Sequence, residues 1–505
     1  TDAKFYQFKL GVCYEILDII GEKSAEKEKT MLEFIFKDEN NDENCPLVVL
    51  TGADWKQDIL RLEILGESDR RKIARALEAD NFREGSAVFF ADGRKISVIT
   101  VKNGGDGRQQ ASLIYKAVKM QKKAAVVGGG DNALTAEKAA RLALELERSA
   151  YGFDKYFTKK KDEAFPELET IYFPQLKKPE NWKDTLALAN GMRYARDLGN
   201  EPPNVLTPEV MALDLKRLEY LDIKVELLDR DFIVRHKLGL IEAVSRGSAN
   251  RPYIAVMEWR GRPERKEWDL GLVGKGVTYD SGGISLKTDS QQIGEKKDMC
   301  GAAAVAAAMK TAALQKLPLN LIAVLPLVEN MPNGNAYKPD DILTSFSGQT
   351  VEVVDTDGEG RLILADALWL AQEKYKVKTL VDMATLTGST AYIFGGFYAA
   401  LLGNDTALLA QVKEAAAQSG EKVWELPMEA EIDKRLKSET ADMKNVGKRE
   451  ADSTQAACFL QRYIQKGVRW AHIDIAGCET DDKGMATGYG VLLLNHLMKM
   501  VSMDN

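Results

Sequence analysis

The sequence contains few of the residues on which several common catalytic sites depend. Only three histidines occur among 505 residues, His236, His472 and His496, and no HExxH motif is present. A histidine-based zinc site or a Ser-His-Asp triad therefore has few candidates for its essential imidazole. Any hydrolytic chemistry must depend mainly on carboxylates, lysines or metal ions.

Cysteines and long apolar runs are also scarce. The five cysteines are unclustered and form no CxxC pair, which fits a reducing compartment better than a disulfide framework. No basic region followed by an apolar stretch opens the chain, so no signal peptide is visible. The longest run of small apolar residues, "GAAAVAAAM" at 301–309, is too short to span a bilayer. We therefore expect a soluble, cytoplasmic protein.

The charge balance argues against two classes of partner. The formal net charge is −7, with 29% charged and 45% hydrophobic residues. A chain of this charge has no electrostatic reason to bind nucleic acid or an anionic membrane as its main partner. Its length allows two or more domains with large cores.

Strand-like and helical segments alternate along the whole chain, which predicts an α/β fold with two domains. We expect an N-terminal α/β domain at 1–165, a charged linker at 166–180, and a C-terminal catalytic domain at 181–505. Unbroken apolar strands between helices predict a mainly parallel central sheet covered by helices. The predicted strands are 45–52, 87–93, 95–101, 124–130, 223–229, 252–260, 268–275, 319–327, 350–354, 378–384 and 468–475.

Unusual polar residues follow three predicted elements of the second domain. The stretches are "GKGVTYDSGGISLK" (274–287), "KKDMCGAAA" (296–304) and "VVDTDGEGRL" (353–362). Ligands of parallel sheets bind at the carboxyl ends of strands, so these stretches are the first place to look for a site. The first stretch lacks the spacing and the hydroxyl residue of a phosphate-binding P-loop.

The third stretch also approaches the spacing of a calcium loop. Asp355, Asp357, Glu359 and Gly360 match positions 1, 3, 5 and 6, and Asp366 falls at position 12. An EF-hand needs a helix on each side, whereas the preceding "TVEVV" has the β-branched residues of a strand. We therefore disfavour a calcium-binding module.

Counting carboxylates favours a different metal site. In an extended chain, Asp357, Glu359 and Arg361 would project to one side. Together with Asp280 and Asp298, these carboxylates would repel one another unless cations compensate, and two divalent ions would do so. The alternative is that each carboxylate caps a helix or faces solvent.

At these residues the chain resembles the M17 leucyl aminopeptidases. The family's NTDAEGRL motif is matched by "DTDGEGRL" at 355–362, and the loop at 274–287 is similar to that of the family. The resemblance extends over roughly 150–500 through "GNEPPNVLTP", "DMCGAAAV", "YKPDDIL", "MATLTGS" and "WAHIDIAG".

The resemblance implies an exopeptidase with two divalent ions per subunit, zinc or manganese being expected, and a metal-bridging water as nucleophile. Lys287 would polarise the substrate carbonyl group, and Arg361 would hold a bicarbonate ion as general base. The implied metal ligands are Lys275, Asp280, Asp298, Asp357 and Glu359.

The resemblance also implies the partners. The substrates would be peptides with a free N-terminus, held by backbone groups of Thr385, Leu386 and Gly388, and six subunits would assemble. In the N-terminal part, no motif proves the resemblance.

Three positions depart from the family pattern. Asp355 replaces the usual Asn and Gly358 the usual Ala, but neither change removes a ligand. Glu295 stands where the family often has a Met that lines the pocket for the first side chain. We expect this pocket to be more polar and the preference for leucine to be weaker, in the direction of basic residues. The alternative is that Glu295 points away and the pocket stays apolar.

A competing hypothesis is a catalytically idle relative with a structural or DNA-binding role, since a fold does not determine function. The complete set of five ligands, with Lys287 and Arg361, favours the enzyme.

Overall fold

The computed structural model describes residues 31–37, 45–52, 54–91, 94–101, 107–129, 133–158 and 167–504. The chain groups into two compact units, Thr1–Ala189 and Asn190–Asn505. Residues 1–30 and 159–166 of the predicted domain and linker segments lie outside the described part. The linker boundary stays a prediction.

The N-terminal unit contains a six-stranded sheet in the order β1-β6-β5-β2-β4-β3, parallel except for the pair β3 and β4. Its strands are β1 (Glu33–Phe36), β2 (Leu47–Thr51), β3 (Gly85–Ala91), β4 (Arg94–Thr100), β5 (Lys123–Gly128) and β6 (Thr170–Phe173). Its described helices are α1 (Trp55–Leu60), α2 (Glu67–Ala79), α3 (Gly107–Val118) and α4 (Ala136–Ala150). β6 lies within the segment predicted as a linker.

Strand β2 shows why the strands of this sheet are continuous apolar runs in the sequence. Leu47 and Val49 pack into one core cluster, whereas Val48 and Leu50 pack into another. Successive side chains of a strand point to opposite faces, so both faces of the sheet are covered.

The C-terminal unit is built on a nine-stranded sheet in the order β16-β15-β18-β14-β9-β11-β8-β7, with β10 paired to β11. Pairings are parallel for β15–β16, β14–β18, β9–β14, β9–β11 and β10–β11, and antiparallel for the other three. The strands are β7 (Lys224–Leu228), β8 (Tyr253–Arg260), β9 (Leu270–Gly274), β10 (Gly276–Asp280), β11 (Asn320–Asn330), β14 (Thr379–Ala384), β15 (Ala399–Gly403), β16 (Val423–Glu425) and β18 (Arg469–Asp474). A small sheet contains β12 (Ile342–Thr344), β13 (Thr350–Glu352) and β17 (Met443–Lys444).

The remaining helices begin with α5 (Trp182–Asn200), in which the division between the two units falls. Those that follow are α6 (Pro208–Arg217), α7 (Arg230–Arg235), α8 (Gly239–Ser245), α9 (Asp289–Gln292), α10 (Cys300–Leu314), α11 (Glu359–Glu373), α12 (Gly388–Phe394), α13 (Thr406–Ser419), α14 (Ala430–Asp433), α15 (Asp452–Gln461) and α16 (Val491–Asp504). None of the helices in the described part is long and apolar enough to cross a membrane.

Helix α10 lies unusually close to the central sheet. Its residues from Cys300 to Met309 are all buried, and most are alanine. A Cβ atom on Gly301 would lie 2.2 Å from the carbonyl oxygen of Met383, and one on Gly274 would lie 2.6 Å from the Cα atom of Ala302. Only glycine fits such close approaches of two backbones. The helix starts two residues after Asp298, so its packing also determines where that carboxylate lies.

The α/β fold class and the mainly parallel covered sheet are confirmed. Two predictions about local structure near the candidate ligands are wrong. The stretch after Lys275 is not a loop, because Gly276–Asp280 forms β10 beside β11. Asp357, Glu359 and Arg361 do not share one side of an extended chain, because α11 begins at Glu359.

Candidate functional site

The predicted ligands come from three places at one edge of the C-terminal sheet. Lys275 lies between β9 and β10, and its amide donates a hydrogen bond of 3.0 Å to the carbonyl group of Met383 in β14. Asp280 ends β10, and Glu359 is the first residue of α11. The ends of β9 and β10 and the start of α11, rather than nearness in sequence, therefore bring these side chains together.

Their carboxylates form two overlapping clusters. Asp280, Asp357 and Glu359 each offer an oxygen atom, and these atoms lie within 4.8 Å of one another. The same limit holds for the group of Asp280, Glu295 and Asp298. Because Asp280 belongs to both clusters, the arrangement suits two adjacent cations with Asp280 as a shared ligand.

Two lysines lie among these acids. The Nζ atom of Lys275 is 2.7 Å from Asp298 Oδ1 and 2.9 Å from Glu359 Oε1. Lys287 Nζ lies 2.8 Å from Asp280 Oδ2 and also contacts Asp357. Two ammonium groups face four carboxylates here, so two negative charges would be left unpaired if every carboxylate were ionised, even without Glu295.

The electrostatics of the cluster reflect this imbalance. The pKa of Asp357 is raised to about 8, mainly by burial and then by the negative charges of Asp280 and Glu359. Burial is also the main cause that raises the pKa of Glu295 to about 7. Although burial lowers the pKa of Lys275, the carboxylates outweigh that effect and raise it above its ordinary value. Carboxylates that repel one another in a buried place are a common feature of cation-binding sites.

Two oxygen atoms provide a direct test of whether metal ions fit. Asp298 Oδ2 and Glu359 Oε2 are buried and make no hydrogen bond within the part of the chain that the structure describes. A buried acceptor without a partner costs free energy, so such atoms need an explanation. Divalent cations with oxygen ligands would satisfy both atoms, and the donor set therefore fits metal ions.

Asn330 supports the shared ligand, and sequence reasoning missed it. Its Nδ2 atom donates to Asp280 Oδ1 at 2.8 Å and to the carbonyl group of Thr356 at 2.9 Å. It thereby ties β10 to the loop that carries Asp357. The sequence did offer one indication of Asn330, which is a polar residue at the end of a long apolar strand.

The loop after Asp280 requires glycine at its turn. Gly282 has a φ of +84°, and its amide donates to Asp280 Oδ1 at 2.9 Å. A positive φ is unfavourable for most residues but not for glycine. The turn therefore both reverses the chain and orients the shared carboxylate.

The calcium loop is excluded by the elements around it. Residues before the loop form β13, so the entering helix of an EF-hand is missing from this fully described stretch. Asp355 accepts a hydrogen bond of 2.9 Å from the amide of Asp357 and joins neither carboxylate cluster. Asp366 lies inside α11 and accepts hydrogen bonds from the amides of Leu240 and Phe346.

Arg361 lies in the second half of the first turn of α11. Its Nη2 atom donates to Asp452 Oδ1 at 2.8 Å, and Nη1 donates to the carbonyl group of Asn445 at 3.1 Å. Neither partner was predicted, because each is more than 80 residues away in sequence and carries no motif of its own.

The predicted substrate-binding positions follow β14. Thr385 donates its hydroxyl hydrogen to Asp298 Oδ1 at 2.8 Å, and its carbonyl group accepts from Lys275 at 2.8 Å. The amide of Leu386 is engaged by Asp474 Oδ1 at 3.0 Å, so it is not free to bind a peptide. Gly388 is exposed at the start of α12.

The C-terminal unit matches a known family. The description of that family is "Cytosol aminopeptidase family, catalytic domain", and the match covers residues 193–495. A "Probable cytosol aminopeptidase" of Methylorubrum populi is 38% identical over 473 residues, which cover 90% of this chain and 95% of that protein. A protein of the same name from Caulobacter vibrioides is 41% identical over 373 residues, covering 72% and 76%.

Solved structures show the same fold. A tomato leucine aminopeptidase mutant superposes with a TM-score of 0.83 at 27% identity, covering 94% of this chain and 97% of that one. The bottromycin maturation enzyme BotP, solved in complex with Mn, gives a TM-score of 0.79 at 30% identity, with 91% and 100% covered. The chain therefore belongs to the M17 cytosol aminopeptidase family of metallo-exopeptidases.

Proposed function

We propose that this chain releases N-terminal amino acids from peptides at a site that binds two divalent ions. The observation that carries the proposal is the sharing of Asp280 between two carboxylate clusters beside two lysines. Asp280, Asp357 and Glu359 would hold one ion, and Asp280, Asp298 and Glu359 the other. Lys275 would join the second ion as a neutral amine, because nearby dications would lower its pKa and release its proton. Manganese or zinc is the expected ion, and manganese is present in BotP.

The bound ions would polarise the scissile carbonyl group and lower the pKa of the attacking water. Lys287 is the more accessible of the two lysines, with 14% of its side chain exposed against 3% for Lys275. We assign Lys287 to the substrate carbonyl oxygen, where its positive charge would stabilise the developing oxyanion.

The restriction to N-termini has a chemical reason. Resonance ties up the lone pair of a peptide nitrogen, whereas a free α-amine keeps its lone pair and can serve as a ligand. The carbonyl group of Thr385 and the exposed backbone at Gly388 would then hold the peptide chain. The six-subunit assembly implied by the resemblance stays a prediction.

The proposed function is tested by hydrolysis of a leucyl amide. We expect activity with added manganese or zinc and its loss after a chelator removes the ions, because the buried acids cannot activate water alone. Restoration by the metal is the control for irreversible unfolding. Activity that is insensitive to chelation, or no activity with any divalent ion, would contradict the proposal.

The identity of the preferred first residue depends on Glu295. Its carboxylate lies within 4.8 Å of those of Asp280 and Asp298, in a short 3₁₀ helix, Glu295–Lys297. Its carboxylate is therefore next to the acidic cluster, although the residue is only half-buried. We propose that Glu295, in its ionised form, makes the pocket for the first side chain anionic.

The test compares kcat/KM for N-terminal Leu, Met, Arg and Lys substrates. We expect Glu295→Met to shift the ratio of Arg to Leu towards Leu by about tenfold, since a charge pair is lost and apolar surface is gained. Lys296→Met, which changes the neighbouring residue in the same way, is the matched control. A strong preference of the unsubstituted enzyme for Leu over Arg would rule out this pocket.

A further inference from the structure

The surroundings of Arg361 differ from those of an open anion-binding arginine. Its side chain is only 4% exposed, and its ion pair with Asp452 at 2.8 Å is direct. The carbonyl group of Asn445 occupies a second guanidinium nitrogen. A carboxylate belonging to the chain itself therefore already lies where the guanidinium could bind a small anion.

Asp452 is held in place by strained backbone. It is the first residue of α15, and the preceding Ala451 has a φ of +58° in the left-handed region. This conformation is unfavourable for an alanine, and such strain often occurs at functional sites. One quarter of the Asp452 side chain remains exposed, and Oδ2 accepts no hydrogen bond from any described residue. That oxygen is available to another molecule.

A chain of contacts connects Asp452 to the metal-binding edge of the sheet. The hydroxyl group of the next residue, Ser453, hydrogen-bonds with Thr387 at 2.7 Å and with Ser389 at 2.6 Å. These residues continue the loop in which Thr385 contacts Asp298. Glu359, two residues before Arg361, belongs to the other carboxylate cluster. Asp452 is thus followed by a residue that hydrogen-bonds with this loop, and its partner Arg361 lies two residues after a predicted ligand.

We propose that Asp452 replaces bicarbonate as the anion on Arg361 and serves as the proton acceptor of the reaction. This inference rests on the proposed aminopeptidase function. In peptide hydrolysis the attacking water loses one proton when its oxygen bonds to the carbonyl carbon, and the leaving amine gains one when the C–N bond breaks. Asp452 Oδ2 would take the first proton and return it to the amine, so it ends the cycle unchanged.

The response to bicarbonate distinguishes this role of Asp452 from the base that the resemblance implies. The Nε atom of Arg361 is buried and has no hydrogen-bond partner among the described residues. The alternative to Asp452 as proton acceptor is therefore a bicarbonate ion bound at this atom. If Asp452 is the acceptor, peptidase activity does not depend on bicarbonate. If an ion at Nε is the acceptor, activity rises with bicarbonate in the unsubstituted enzyme.

The experiment measures leucyl amide hydrolysis by the metal-loaded enzyme in carbonate-free buffer, with and without added bicarbonate. We expect the unsubstituted enzyme to be indifferent to bicarbonate. Asp452→Ala should lose activity by about 100-fold or more, the usual contribution of a positioned base, and should regain part of it with bicarbonate. Binding of ¹³C-labelled bicarbonate, followed by NMR line broadening, should be detectable for Asp452→Ala only.

The matched control is Asp433→Ala, which removes another carboxylate paired with an arginine next to α15. Asp433 contacts Arg462 at 2.8 Å and belongs to neither carboxylate cluster. We expect this variant to keep its activity and to show no response to bicarbonate. Asp452→Asn, which can still accept a hydrogen bond from Arg361, covers the case in which the alanine variant does not fold, and it should also be inactive.

The outcomes can be told apart. Bicarbonate stimulation of the unsubstituted enzyme, or full activity of Asp452→Asn, would overturn the role of Asp452 and leave the aminopeptidase function standing. Loss of all activity in the unsubstituted enzyme would instead contradict the proposed function, while the ¹³C measurement would still report whether Asp452 excludes bicarbonate from Arg361.

Discussion

Asp280→Asn is expected to lower kcat/KM for a leucyl amide by more than about 100-fold. Loss of a residue that merely supports a metal ligand commonly costs 10–100-fold in affinity or activity, so loss of a shared ligand should cost more. Asp280 is the carboxylate common to both clusters, and it is 2% exposed. The amide has nearly the same shape, so Asn330 and Gly282 can keep their positions while the charge disappears.

The control for this prediction is Asp355→Asn. It makes the same chemical change in the loop that carries Asp357, but Asp355 belongs to neither cluster. The one hydrogen bond described for its side chain, accepted from the amide of Asp357, can be accepted by an asparagine oxygen. Kinetics and calorimetric metal titration should show little change for this variant. Equal losses for both substitutions would mean that the loop tolerates no change and that Asp280 has no special role.

Asp366→Ala is expected to destabilise the C-terminal unit by about 3 kcal/mol or more without removing a metal ligand. The carboxylate is fully buried and accepts the amides of Phe346 at 2.7 Å, Leu240 at 2.9 Å and Ile241 at 3.2 Å. Two of these amides lie in the first turn of α8, which has no side-chain cap of its own. Alanine would leave all three donors without a partner, and each such loss typically costs about 1–3 kcal/mol.

Calorimetric unfolding measures this effect, and metal titration of the folded variant separates it from the site. We expect Asp366→Asn to lose less stability than Asp366→Ala, because one amide oxygen can still accept. An unchanged unfolding temperature for Asp366→Ala would show that water replaces the carboxylate. Weakened metal binding at a temperature where the variant is folded would revive a ligand role for Asp366.

Much of the fold could be predicted from local sequence pattern. Buried strands such as β9 and β14 are short apolar runs that end at glycine or before polar residues, and their positions were predicted to within two residues. β10 was missed because "GVTYD" is short and contains the polar Thr278 and Asp280. It forms only because β11 lies beside it, and that partner is about 50 residues away.

Sequence motifs predicted the candidate ligands, but not the residues that hold the ligands and their neighbours in place. Asp357 and Glu359 stand out in sequence because glycines flank them at a strand end. Asn330, Asp452 and Asp474 each act on a residue that is 50 or more positions away. Nothing in the local sequence distinguishes such a residue from an ordinary helix cap or strand end, since only the folded chain supplies the contact.

The close packing of helix α10 limits which substitutions this sequence can accept. Its backbone touches that of β14 at Gly301, and no atom larger than hydrogen fits there without moving the helix. Any added methyl group would shift Asp298 along with it. In a survey of random substitutions, the interior of α10 would tolerate as little change as the ligands, although it touches no substrate. Intolerance to mutation around this site therefore has two different causes. The carboxylates are needed for chemistry, whereas α10 has no space for larger side chains.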